Sequence, residues 1–297
     1  MNLKNDFYIS VPGKWCFLGE HAVTRGGTAI VFPKTDLSLK LFYKKNSLKL
    51  QSENFPKFRE IVDIFLNFFP HLQNNKEIFF QGQLEIDSSI PMQSGLGSSA
   101  AYCVAFTKWM LFISGEKIDL LKQIDIATEM ESLFHGQSSG MDVACVAFEK
   151  PIIFKKGEVP RSMPEWEIFQ EWFELRDSGV RGQTSYAVQK VNSIRAKDLL
   201  KFDQIDLEMN LAVLESIQGF GMFVRGEVTE HKCLEILIKS IKMADKCFLE
   251  WGLYEDSNRM LLSQRENFQR LSQATKITGS GMGGYWIVLL KKLTQEG

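Results

Sequence analysis

The sequence predicts a mixed helix-and-strand protein of about two domains. At 297 residues the chain is twice the usual domain length of roughly 150 residues. Its first third sets short apolar and β-branched runs between turn residues, whereas Ala100–Phe112, Ile118–Phe134 and most of 184–251 carry apolar residues at helical spacing. The texture changes near 155–165 with no repeat or low-complexity linker, which divides the chain into 1–158 and 159–297.

In order, Phe7–Val11 and Trp15–Leu18 read as two strands split by Pro12-Gly13, a turn signal. Thr28–Pro33 is a β-branched run after Gly26-Gly27. Leu37, Leu39 and Leu41 alternate with Ser38 and Lys40, as a strand with one buried face does. Pro56 to Phe69 places Phe58, Ile61, Val62, Phe65 and Phe69 at helical spacing. Ile78–Ile90 returns to strand. Ala100–Phe112 is apolar nearly all round and predicts a buried helix. Ile118–Phe134 is a second helix, ended by Gly136. Val143–Phe148 and Ile152–Phe154 read as a strand pair, and Trp166–Leu175 as a further strand. Thr184–Ala196, Ile205–Gln218 and Glu230–Trp251 are helical. Lys276–Thr278 and Tyr285–Leu290 close the chain as strands around a glycine cluster.

Composition excludes several functions. Apolar residues make up 44% and charged residues 24%, enough for a core that a disordered chain lacks. Lys and Arg number 35 against 36 Asp and Glu, so no polycationic surface exists for nucleic acid or acidic lipid, although a local basic pocket remains open. The cysteines at 16, 103, 145, 233 and 247 lack CxxC or Cys/His metal spacing, and their odd, scattered count points to a reducing compartment. The first ten residues lack the apolar run of a signal peptide, and Ala100–Ile113 is too short to cross a bilayer. The expectation is a cytoplasmic protein with neither a nucleic-acid nor a membrane partner.

Four stretches carry chemistry. Ser94 to Ala100 joins a strand to a buried helix; its glycines allow close backbone approach, and the helix start presents N–H groups to an anion. It is neither a Walker A loop nor a Rossmann fingerprint, and a serine-capped helix after a flexible turn fits it equally. Pro12-Gly-Lys14 through Gly19-Glu20-His21 gathers three ionisable groups, or is a hairpin with solvated charges. Glu131 and His135 share a helix face, and a polar loop then delivers Asp142 to the start of an apolar strand, a place for a general base or a turn cap. Lys276 to Tyr285 holds four glycines, implying tight backbone approach to another element or to a phosphate.

In this order, Pro12-Gly-Lys…Gly-Glu-His-Ala-Val23, Gly95-Leu-Gly-Ser-Ser-Ala-Ala101, His135-Gly-Gln-Ser-Ser-Gly-Met-Asp142, Asp177–Thr184 and Lys276–Gly284 resemble the GHMP small-molecule kinases, most closely the mevalonate kinase branch of bacterial type. The resemblance implies a two-domain α+β fold. Its N-terminal domain would be like a ribosomal protein's second domain and its C-terminal domain ferredoxin-like, with the active site in the cleft between. It implies ATP and Mg²⁺, and phosphorylation of the primary hydroxyl of mevalonate or a related alcohol. Gly95, Leu96, Gly97, Ser98 and Ser99 would cradle the phosphates, and Ser99 and Glu131 would hold the metal. Asp142 would be the base. Lys14 would sit against Asp142 and the hydroxyl. Glu20, His21, Thr184, Gly281 and Gly283 would line the substrate, and His135 would pin the turn before Asp142. A homodimer is left open. Phosphomevalonate kinase, homoserine kinase, mevalonate diphosphate decarboxylase and a non-catalytic member of the fold remain alternatives. The sequence departs from the family at Gln93 and Ser138, where glycine and proline are usual. Further departures are Met282 and Tyr285, and Arg181, which falls one position early.

Overall fold

The computed structural model describes residues 6–254 and 259–290. Its backbone divides into two compact units of mixed helix and strand, the α+β class that was expected. The first comprises Met1–Gly13, Pro33–Pro91 and Gly97–Glu149; the second comprises Lys14–Phe32, Met92–Leu96 and Lys150–Gly297.

Two long strands, β1 (Asp6–Leu18) and β2 (Thr28–Lys49), contribute to both units. Each replaces a pair of shorter strands expected from sequence. Pro12 is tolerated inside β1 because β1 is an edge strand with β2 as its neighbour, so a missing N–H costs no second ladder. Pro33 falls in β2 between two ladders: Thr28–Val31 pair with β4 (Ile152–Lys155), and Leu39 onward pairs with β3 (Gln81–Ser88).

In the first unit, α1 (Phe58–Phe68) buries Phe58, Ile61, Val62 and Phe65, the residues its spacing selected. A 3-10 segment, Pro70–Phe80, takes the first part of the stretch expected to be strand. Then come α2 (Ser98–Ser114), α3 (Leu120–His135) and α4 (Met141–Phe148). α2 is buried on nearly every side. α3 is capped by Asp119, whose carboxylate accepts the Lys122 N–H at 2.8 Å. α4 corrects the expected strand at Val143–Phe148. A short apolar run does not distinguish strand from buried helix. Here α4 packs against α2 and α3, with left-handed Gly140 and Glu149 as its two caps.

In the second unit, β5 (Arg161–Ser162) pairs with β4, and Pro164–Trp172 is 3-10, leaving Phe173–Asp177 as strand β6. β6, β8 (Tyr285–Leu289) and β7 (Thr275–Ile277) form an antiparallel sheet, with Leu175 opposite Ile287 and Ile287 opposite Lys276. Helices α5 (Thr184–Lys197), α6 (Leu199–Val224), α7 (Glu230–Glu250) and α8 (Arg259–Leu271) complete the unit, with α6 and α7 packed lengthwise. An aromatic core joins β1 and β2 to α6 and β6: Trp15 stacks on Phe32 at 4.8 Å, and Phe17 lies 5.1 Å from Phe173 and 5.7 Å from Phe220. Among the described residues no helix is long and apolar enough to cross a membrane.

Candidate active site

The loop before α2 is built from left-handed residues: Gln93 at φ 54°, Gly95 at 78° and Gly97 at 80°. Gly97 is the N-cap and makes no side-chain cap, so the serine-capped reading is not what forms. Ser98 and Ser99 stand in the first turn instead. The α2 start therefore offers N–H groups and positive dipole without a competing side chain from its cap, as an anion cradle requires.

In the first unit, Ser99 meets the face of α3. Its hydroxyl donates to Glu131 Oε1 at 3.2 Å and lies 2.9 Å from His135 Nε2. With its proton given to the carboxylate, Ser99 Oγ accepts the Nε2–H of His135. His135 thus holds Ser99, a contact that the resemblance did not include. The turn before Asp142 is fastened by Ser138, which stands where the family has proline. Its hydroxyl donates to Glu131 Oε2 at 2.6 Å and accepts the Gly140 N–H at 3.0 Å. The sequence marked Ser138 as a departure from the family's proline but gave no sign of these two bonds. Glu131 is buried, and its partners are hard oxygen donors. Among the described residues no three His, Cys, Asp or Glu side chains converge as a metal cage. A pair such as Ser99 and Glu131 instead suits Mg²⁺, which draws its other ligands from phosphate and water.

Asp142 lies in the first turn of α4, after left-handed Gly136 and Gly140, and not at a strand start. A carboxylate is favoured at that end of the helix dipole. Asp142 is half-buried.

In the second unit, Lys14 is a strand residue of β1 and is 2% exposed; its N–H donates to Leu96 O at 2.9 Å. It is therefore no surface lysine in a turn. Glu20 is equally buried. Its Oε1 accepts from Lys276 Nζ at 2.6 Å and from the Gly279 N–H at 3.3 Å, while Oε2 has no partner among the described residues. Burial pushes the Glu20 carboxyl above its usual range; Lys276 and, less strongly, Lys14 oppose this. Lys276 also sits 4.5 Å over the Phe248 ring.

His21 has φ 61° and ψ −54°, a backbone region that an L side chain rarely adopts. Its ring packs edge-on against Trp251 at 5.4 Å, and Nε2–H donates to Ser280 O at 3.0 Å. Burial lowers its pKa to about 4, so the ring is neutral at pH 7 and presents Nδ1 as an acceptor.

The glycine cluster approaches protein closely. A Cβ on Gly281 would lie 2.8 Å from the Phe248 ring, and one on Gly283 2.7 Å from Val180 O. A Cβ on Gly284 would meet Ser94 O at 2.3 Å, and one on Gly279 the Gly95 Cα at 2.9 Å. The cluster thereby braces residues 94–95 of the loop before α2. Thr184 is exposed at the first residue of α5. Arg181 holds Asp177 through two bonds of 2.6 and 2.7 Å, and Arg25 holds Asp206 on α6 through two of 2.5 and 2.7 Å. Asp206 and Phe248 had no signal in the sequence, because their partners lie far away along the chain.

Residues 60–150 match the GHMP kinases N terminal domain. The chain is 26% identical to mevalonate kinase of Aeropyrum pernix over 62% of its length and 61% of that protein. It is 26% identical to mevalonate kinase of Arabidopsis thaliana over 83% of its length and 66% of that protein. It thus spans less than two thirds of these two relatives. Mevalonate kinase of Archaeoglobus fulgidus is 26% identical over 95% of this chain and 92% of its own. In fold, the crystal structure of Methanococcus jannaschii mevalonate kinase superposes with a TM-score of 0.70 at 20% identity, over 96% of this chain and 90% of that one. Streptococcus pneumoniae phosphomevalonate kinase, solved with phosphomevalonate and AMPPNP, gives 0.70 at 17% identity, over 95% and 91%. With the uncapped glycine loop before α2 and the Ser99–Glu131 pair behind it, these likenesses agree: the chain has the fold of these kinases, and its residues 60–150 match the N-terminal domain of the GHMP kinases.

Proposed function

We propose that the protein is a cytoplasmic kinase that transfers the terminal phosphoryl group of ATP to the primary hydroxyl of mevalonate. The observation that carries phosphoryl transfer is the Ser99–Glu131 hydrogen bond at a helix start whose cap is a side-chain-free glycine. Mg²⁺-ATP, when bound, supplies the phosphoryl group and offsets charge on its oxygens. Ser99 and Glu131 offer the oxygens for the ion, and the first N–H groups of α2 take phosphate oxygens. Asp142 accepts the proton of the acceptor hydroxyl. Lys14, buried in β1, stabilises negative charge on the transferred group. His21 Nδ1 accepts from a hydroxyl of the acceptor.

The acceptor is read from charge. Arg25 and Arg181, the nearest arginines to the motifs, are each paired to a carboxylate. A phosphorylated acceptor adds about two negative charges that need cations of their own; mevalonate carries one carboxylate. The frequency of mevalonate kinases among the relatives supports the same choice. The test is turnover with ATP-Mg²⁺ on mevalonate, 5-phosphomevalonate, homoserine and galactose, with product read by phosphorus NMR. A kcat/KM at least about tenfold higher for mevalonate, or 1.4 kcal/mol of transition-state preference, is expected. The same margin for another acceptor overturns the substrate and leaves the kinase; no turnover on any overturns both.

A further inference from the structure

β1 is an edge strand of its sheet, and buried groups of the second unit meet its outer edge at Lys14 and just after it. Leu96 O takes the Lys14 N–H at 2.9 Å. Two residues on, Cys16 meets the hydroxyl of Thr278, the residue that follows β7. Thr278 Oγ1 accepts the Cys16 N–H at 3.0 Å and donates to Cys16 O at 2.8 Å. One hydroxyl thus does for Cys16 what a paired strand does, satisfying both of its main-chain groups. Cys16 and Thr278 are fully buried, so these bonds are sheltered from water. Thr278 is itself held, because its N–H donates to Tyr285 O at 2.8 Å. Its carbonyl backs onto the loop before α2, where a Cβ on Gly95 would lie 3.0 Å from Thr278 O.

We propose that Thr278 is the positioning residue for Lys14: its hydroxyl fixes the β1 backbone at Cys16 and thereby sets where the lysine's ammonium stands during phosphoryl transfer. This rests on the proposed action of Lys14 on the transferred group. Residues 14 and 16 point their side chains to one face of the strand. Lys14 is 2% exposed, so its stem is packed and its reach follows its Cα. A displacement of about 1 Å at a reacting group costs about 10²-fold in rate. Packing alone does not call for a hydroxyl at 278, since valine has the same shape. Serine keeps both bonds to Cys16, and valine keeps neither. With valine the Cys16 N–H and C=O lose their partner while still buried, and β1 must shift to pair them again. That shift reaches Lys14 two residues away.

Steady-state turnover of the full chain, with ATP-Mg²⁺ and the acceptor that turns over fastest, tests this. Thr278→Val should lower kcat about ten- to a hundredfold and leave the KM for ATP within about threefold, with the parent's circular dichroism spectrum. Thr278→Ser should stay within about threefold of the parent kcat, because both bonds remain. Lys14→Met should lower kcat by about 10²–10³. Adding Thr278→Val to it should cost no more than about twofold further, because the group being positioned is gone. A merely structural loss would multiply with that of Lys14→Met. Should Thr278→Val not fold, Thr278→Cys, whose thiol bonds more weakly, makes the same comparisons. A parent without turnover on any acceptor, or Lys14→Met at the parent's rate, overturns the action assigned to Lys14 and this inference together. With Lys14→Met slowed, the inference alone falls if the valine variant keeps the parent kcat, if serine is as slow as valine, if the KM for ATP rises in place of the fall in kcat, or if the two losses multiply.

Discussion

Replacing Lys276 with methionine tests how far the buried pair sets the stability of the second unit. Lys276 is fully buried, and its ammonium lies 2.6 Å from Glu20 Oε1, whose side chain is 4% exposed. Methionine keeps the length and the contact with Phe248 but leaves Glu20 with the Gly279 N–H at 3.3 Å as its remaining close donor. Breaking one partner of a buried pair costs about 3–5 kcal/mol, because the other charge stays desolvated. A domain has about 5–15 kcal/mol in total, so the loss is about a fifth or more. Glu20 relieves it by taking a proton. Burial already raises its pKa, and Lys276 is the strongest opposing influence, so the variant's carboxyl rises further. A raised acid binds its proton more tightly folded than unfolded. The variant is therefore most stable below the unfolded value near 4.5 and loses stability as pH climbs toward the folded one. Urea unfolding followed by tryptophan fluorescence, at about pH 5 and about pH 8, should show the larger deficit at the higher pH. Lys276→Met combined with Glu20→Gln should recover most of it. A single variant within about 1 kcal/mol of the parent at both pH values, or a double variant no better than the single, would refute the reasoning.

Asp142→Asn should lower turnover by about 10²–10⁴ while nucleotide binding by calorimetry stays intact; near-parental turnover assigns the proton to another group. Glu131→Gln should raise the Mg²⁺ needed for half-maximal rate more than the acceptor KM, and superimposable Mg²⁺ titrations would remove Glu131 from the metal. His21, lowered from 6.5 to about 4, binds its proton less tightly folded than unfolded, so the fold loses stability as pH falls from 6.5 through about 4. The full loss is about 3 kcal/mol; His21→Asn, which tolerates positive φ better, should flatten that acid limb, and parallel curves would contradict the assignment. Gln93, left-handed at φ 54°, should accept glycine with little change, since about 1 kcal/mol of relieved strain offsets the flexibility glycine adds to the unfolded chain. Gln93→Val, β-branched, should lose about 1–2 kcal/mol by denaturant titration, and equal stability for both variants would show that the loop is not strained.

The fold was legible where periodicity and punctuation agree. α1, α2 and α3 match their expected spans closely because apolar spacing, Asp119 and the glycines at 115 and 136 point the same way. Proline misled where tertiary pairing made its missing N–H harmless, at Pro12 on an edge and Pro33 between ladders. α8 was missed. Its sequence is mostly polar, and it is held by contacts that no local pattern announces: Arg265 and Gln269 on buried Asp245, and Gln264 on the Trp286 indole N–H. Val143–Phe148 shows the opposite failure, a six-residue apolar run whose helical form is decided by what surrounds it.

In the candidate site, residue types were legible and partnerships were not. Glu131 and His135, four apart, were readable as one helix face, and the structure turns that face to Ser99. Glu20 and Lys276 are 256 positions apart, and Arg25 and Asp206 are 181 apart, so no spacing rule pairs them. Those long-range pairs bear on the substrate. Arg25 and Arg181 are the cations beside the motifs that a phosphorylated acceptor could use when read from sequence, and Lys276 stands within the last motif. In the folded chain each already holds a carboxylate at 2.5 to 2.6 Å. Binding an acceptor phosphate through any of them would first leave Glu20, Asp206 or Asp177 without its counterion, and for buried Glu20 that separation costs several kcal/mol. An acceptor without the phosphate demands fewer such exchanges, and the charge pairing thereby supports the proposal of mevalonate over its phosphate.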